Sequence, residues 1–163
     1  MKKLPAKSLA QNKPQNTEEA RAYAFLLLKF RLRSANELLQ RLRQKGFSEQ
    51  LSRSTIEFLK EKNFIDDRVF AKAWVGSRLN RPFGLRRIKM ELSVKGLDKE
   101  IIESTLNQAK CGYDETRVVS DLAKQRFSKQ KGIEPRLAKS RVYAYLLRRG
   151  FSPDIVNDVI KQL

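Results

Sequence analysis

The chain has 163 residues, and its 35 Lys and Arg against 18 Asp and Glu give a formal net charge of +17, well beyond the magnitude of about 2 to 8 that serves solubility in a small domain, which points to a polyanionic partner. With no histidine and one cysteine, Cys111, the sequence excludes His general bases and triads, His or thiolate-cluster zinc sites and internal disulfides. A hydrophobic content of 40% spread along the chain excludes a disordered basic tail as the whole protein and calls for a packed core.

Residues 1–15, with Pro5 and Pro14 and no apolar period, read as a flexible basic tail. Its lysines precede no apolar run that could form a signal core, and no segment reaches the roughly 18 apolar residues of a membrane span. The protein is therefore expected to be soluble and cytoplasmic, with no membrane contact. Order is expected from Asn16, where the run NTEE offers a side-chain N-cap with Glu19 at the third helical position, a capping box. The spacing predicts a helix over 17–31, a second over 34–45 opened by a Ser34–Glu37 capping box, and a third over 48–62 after the turn KGFS at 45–48. Tyr23, Phe25 and Phe30 in the first of these are read as core rather than as a base-stacking platform.

The next helix, near 66–80, opens on Asp66 and Asp67. Paired carboxylates could signal a metal or nuclease site, but Asp is a preferred helix cap, its charge suits the dipole, and no third carboxylate follows at a fixed spacing. The pair is read as a cap; no metal, cofactor or catalytic residue is expected, and no phosphate-binding glycine loop occurs. Phe70 and Trp74, at i and i+4, are read as core. Asn80, Pro82 and Gly84 break the chain before a helix over 84–95, and KGLD at 95–98 leads to one over 98–110. A helix near 114–127, the connector SKQKGIEP, a helix over 135–149, RGFS at 149–152 and a helix over 152–163 complete the chain, with Pro135 and Pro153 at first helical positions. No window alternates with period two between hairpin turns, so the fold is expected to be all-α.

Aligning the three turns on Gly46, Gly96 and Gly150 exposes a longer repeat. Leu42, Leu92 and Leu146 stand four residues before the glycines, and Leu38, Ile88 and Val142 eight before. Phe47, Leu97 and Phe151 follow directly, then the cap residues Ser48, Asp98 and Ser152; Leu51, Ile101 and Ile155 come five after, and Ile56, Leu106 and Ile160 ten after. The glycines are 50 and 54 residues apart, which is three helices per unit. The expected domains are repeats of three helices at 16–64, 65–112 and 113–163, stacked in tandem as an elongated array that can curve.

The excess charge falls on the middle helices, which carry +2, +3 and +5, while the helices after the glycine turns carry 0, −1 and −1. That asymmetry argues against a helix-turn-helix reader of duplex sequence, whose post-turn helix meets DNA: here Glu49, Glu100 and Asp154 stand at those helix starts and would repel phosphate. The expected contact surface is a basic stripe of Arg31, Arg33, Arg41, Arg43, Lys45, Arg78, Arg81, Arg86, Arg87, Lys89, Lys95, Arg136, Arg141, Arg148 and Arg149. Arginine outnumbers lysine in it, which favours bidentate grip on phosphate or carboxylate.

The runs IDDRVFAKAWV and GLRRIKMELSVKGLDKEII resemble the RecX family of bacterial regulatory proteins, which modulate the RecA recombinase. The family's Asp-Asp-x-x-Phe-Ala run and its Gly-x-x-x-Ile-x-x-x-Leu-x-x-Lys-Gly run are matched at Asp66, Asp67, Phe70, Ala71, Gly84, Ile88, Leu92, Lys95 and Gly96. The resemblance covers roughly 18–163 and is strongest in the middle unit. It implies three tandem three-helix repeats and a non-enzymatic monomer. The implied partners are the RecA filament and single-stranded DNA, with duplex DNA a further candidate; the implied action is to restrain filament growth, ATP hydrolysis and strand exchange. The alternative is a sequence-nonspecific nucleic-acid-binding protein acting without RecA.

Overall fold

The computed structural model describes residues 16–163; the tail expected at 1–15 lies outside the described residues. Nine α-helices and no strand occur among them: α1 Thr17–Phe30, α2 Ala35–Lys45, α3 Glu49–Glu61, α4 Asp67–Leu79, α5 Leu85–Val94, α6 Lys99–Lys110, α7 Glu115–Ser128, α8 Pro135–Arg148 and α9 Pro153–Lys161. The chain divides into two compact units, the first ending at Ile65 and the second spanning Asp66–Leu163. In each triplet every helix packs against the other two.

The caps carry out most of what the residue types dictate. Asn16 Oδ1 accepts from the Glu19 N–H at 2.7 Å, and Ser34 with Glu37 closes a full capping box. Ser48 accepts from the Leu51 N–H at 3.2 Å. Asp66 Oδ1 accepts from Arg68 at 2.7 Å and Val69 at 3.4 Å, the capping role expected of it. Asp98 and Ser152 depart from expectation, since neither side chain makes a cap hydrogen bond. Their extended backbones still begin the helices, and in α9 Pro153 supplies a preset φ at the first position. Gly46, Gly96 and Gly150 all take left-handed φ, at 104°, 74° and 83°, which is why glycine ends every middle helix.

Each triplet buries its own core around the same register. Leu38 and Leu42, Ile88 and Leu92, and Val142 and Leu146 are all buried, as are Phe47, Leu97 and Phe151. Small residues one turn apart, Ala20 with Ala24 and Val119 with Ala123, let α1 and α7 approach their partners. In the third helices the register shifts by one: Leu51, Ile101 and Ile155 are half-buried, while Ser52, Ile102 and Val156 are buried. Phe25 and Phe30 are not core. They lie off the Ala20–Ala24 stripe of α1, at 37% and 75% exposure, with Phe25 edge-on to Phe64 at 4.8 Å between ring centroids. Tyr23 and Trp74 are half-buried and Phe70 is buried, as expected of core residues and their borders.

Inside the second unit, triplets two and three are joined by backbone. The Gly84 N–H donates to the Arg149 carbonyl at 2.9 Å and the Leu85 N–H to Glu115 Oε1 at 3.2 Å, so the third triplet supplies acceptors for the start of α5. Tyr113 Oη donates to the Phe83 carbonyl at 3.2 Å. A Cβ on Gly84 would lie 2.1 Å from the Gly150 carbonyl oxygen, so the two glycines permit a contact that no other residue fits.

Candidate polyanion-binding surface

Basic residues crowd the middle helices, but acids reached through the fold engage many of them. In the first unit Arg31 pairs with Glu37 at 3.0 Å, and Arg43 bridges to Glu49, which also takes Arg53. Hydrogen bonds from Arg43 and Arg53 hold the Glu49 carboxyl below its ordinary range. Arg33 Nε donates to the Leu27 carbonyl at 3.3 Å; burial, and then the charge of Arg31, lower its pKa. Among the described residues Arg41 reaches only Gln44, at 3.4 Å, and Lys45 lies 5.6 Å from the Tyr23 ring centroid.

In the second unit one carboxylate organises the basic face. Glu91 Oε2 accepts from Arg78 Nε at 2.6 Å and from Trp74 Nε1 at 3.0 Å, and Oε1 accepts from Arg87 Nε at 3.0 Å. Burial is the largest influence on Glu91 and opposes its charge, but these three donors together outweigh it and hold the carboxyl below the ordinary range. Cations and rings extend outward from this centre. Lys95 and Arg78 lie 4.0 and 4.2 Å from the Trp74 ring centroid, Arg87 and Arg149 lie 4.2 and 5.1 Å from that of Phe83, and Arg149 and Arg126 lie 5.2 and 4.3 Å from that of Tyr145. Arg149 also donates to the Pro82 carbonyl at 3.3 Å, and Lys89 pairs with Glu103.

The remaining members of the stripe are free to meet a ligand. Arg81, Arg86, Arg136 and Arg148 are exposed and their side chains form no ion pair or hydrogen bond among the described residues; Arg141 reaches only Gln130, at 3.5 Å. Of the fifteen residues in the expected stripe, those facing solvent without an acid partner are thus the better candidates for contact. The Arg87–Glu91 pair has the i, i+4 spacing that a sequence shows; Arg78–Glu91 and Lys89–Glu103 span 13 and 14 residues and are products of tertiary packing. Charge does not reveal Met90 and Val94, exposed apolar residues on α5 that share an i, i+4 spacing on a different face from the buried Ile88 and Leu92. Among the described residues no group of three or more His, Cys, Asp or Glu could hold a metal, and no helix is long and apolar enough to cross a membrane.

Three family models match the chain in succession: the RecX first three-helix domain over residues 20–59, the second over 66–106 and the third over 114–160. The chain is 31% identical over 146 residues to the regulatory protein RecX of Chlorobium limicola, covering 89% of each. It is 34% identical over 154 residues to that of Mycobacterium sp. (strain JLS), covering 91% of this chain and 84% of the relative. The crystal structure of RecX from Lactobacillus salivarius superimposes with a TM-score of 0.77 at 26% identity, over 90% of this chain and 96% of the other.

Proposed function

Since the chain belongs to the RecX family, we propose that it is a regulatory protein that binds the RecA filament on single-stranded DNA and restrains its growth, ATP hydrolysis and strand exchange, and so modulates recombination and DNA repair. The observation that carries this reading is the set of exposed, uncommitted guanidiniums, Arg81, Arg86, Arg136 and Arg148, in a unit where Glu91 and Glu103 are occupied by internal pairs. Paired arginines preserve shape, and unpaired ones attract phosphate and carboxylate. Three tandem repeats, bounded as read from the sequence at 16–64, 65–112 and 113–163, give the filament several points of contact.

The test is RecA-catalysed ATP hydrolysis on single-stranded DNA. Added protein is expected to slow turnover, and Arg86→Glu with Arg148→Glu to weaken the effect at least tenfold in the concentration required. Unchanged turnover at saturating wild-type protein would refute the proposal. The alternative, a nucleic-acid binder acting without RecA, expects co-sedimentation with filaments to vanish at the salt concentration that abolishes binding to bare DNA. Retention at that salt favours the filament.

A further inference from the structure

The second unit contains an open cleft of about 580 Å³ between α5 and the C-terminal end of α8, lined by residues that include Arg86, Met90, Glu91, Leu147, Arg148 and Gly150. Met90 is 62% exposed and Val94, one turn further along α5, is 79% exposed. With Arg86 one turn before, they make a single stripe of cation, thioether and aliphatic group. Arg148 is the uncommitted cation on the opposite wall. Glu91, the one acid lining the cleft, has both oxygens occupied by Arg78, Trp74 and Arg87. The cleft therefore combines an apolar lining with two cations, Arg86 and Arg148, that have no acid of their own, beside Arg87, which is paired with Glu91.

The rings beside it discriminate between ligands. Single-stranded nucleic acid gains affinity by stacking bases on open aromatic faces. Trp74, Phe83 and Tyr145 each already have two cations against the ring, and no exposed ring lines the cleft. Flexible methionine beside aliphatic side chains is instead suited to gripping peptide side chains. We infer that the cleft binds a peptide segment of a partner protein in which carboxylates flank an apolar side chain, the apolar group resting on Met90 and Leu147 and the carboxylates on Arg86 and Arg148. This deepens the filament reading and rests on it for which protein presents the segment; the ligand's chemistry rests on the cleft alone.

The full chain is titrated into a fluorescein-labelled synthetic peptide with glutamates flanking a leucine and a phenylalanine, into the same peptide with glutamines, and into labelled oligothymidylate, following anisotropy. Met90→Ser is expected to weaken the acidic peptide on the order of tenfold, as lost burial of one apolar side chain accounts for, and to leave oligothymidylate unchanged. Arg148→Gln is expected to weaken the acidic peptide too, and the glutamine peptide is expected not to bind. Both positions are exposed, so thermal melts should match wild type within a few degrees; Met90→Gln replaces Met90→Ser if the latter misfolds. Acidic-peptide affinity indifferent to Met90 overturns the inference, and so does a Met90-dependent loss of oligothymidylate, which makes the cleft a nucleic-acid site. Wild-type protein that slows RecA turnover without Met90-dependent peptide binding overturns the inference and keeps the filament reading. Met90-dependent peptide binding with unchanged RecA turnover overturns the filament reading and supports the cleft's ligand.

Discussion

Glu91 and Glu115 sit in the same unit under opposite electrostatic conditions. Glu91 has its pKa lowered on folding by three donors, so its contribution to stability is present above the unfolded carboxylate value and is lost as pH falls through the lower, folded one. Glu91→Gln is expected to cost about 1.5 to 3 kcal/mol at neutral pH, the range for hydrogen bonds to charged groups, with a smaller deficit near pH 3. Glu115 has its pKa raised by burial, against the opposing pull of the Leu85 N–H and Lys110. Its contribution favours the fold below the unfolded value and is lost as pH rises through the folded one. Glu115→Gln keeps an acceptor for Leu85 and removes a half-buried charge, so it is expected to be more stable than wild type at pH 7 and to have no advantage near pH 3. Urea unfolding of both variants at the two pH values checks the opposite signs. Neither environment was legible beforehand: the Arg78 partner of Glu91 and the Leu85 partner of Glu115 lie 13 and 30 residues away in the chain.

At the scale of the helix, the sequence was close to sufficient. The turn glycines with their flanking leucines located α2, α5 and α8, and all nine predicted helices recur within about two residues at either end because caps, prolines and breaks are local chemistry. What was not local was misplaced. The buried position six residues after each glycine holds Ser52, Ile102 and Val156, and the serine disguised the column, so the half-buried position before it was taken instead. Helical apolar spacing reads Phe25 and Phe30 as core, whereas burial on α1 follows its small residues, Ala20 and Ala24. Caps of one residue type also differ in strength. Ser34 is buried and makes a complete capping box, whereas the Ser152 side chain makes no cap hydrogen bond. Ser34→Ala is therefore expected to destabilise by about 1 kcal/mol, while Ser152→Ala stays within about 0.5 kcal/mol. Paired thermal or urea denaturation curves separate the two.

For the molecule as a whole, net charge overstates the grip on a polyanion, because a paired guanidinium attracts phosphate less than a free one. Two phosphate contacts, one for each of Arg81 and Arg136, the uncommitted arginines outside the cleft, predict a log–log salt slope for oligothymidylate of about −1.4, at roughly 0.7 per contact on a single strand. Replacing Arg136 by Gln is expected to make the slope shallower by about 0.7, whereas a slope near −10 would mean that the paired arginines also contribute. The charge total was legible from composition; its division into free and engaged cations was not, because that division is made by packing.

The contact between Gly84 and Gly150 bears on how such an array can be altered. Tandem repeats are commonly treated as interchangeable beads, each adding its own stability and a generic interface. Here the interface includes main-chain donors of one bead, Gly84 and Leu85, satisfied by acceptors of the next. Deleting the third triplet would leave two N–H groups at the opening of α5 to water alone and would expose the surface that the triplet had covered. The second and third triplets are thus bound to a common fate: a change of repeat number at this junction is a change to the inside of a folding unit, not to its length.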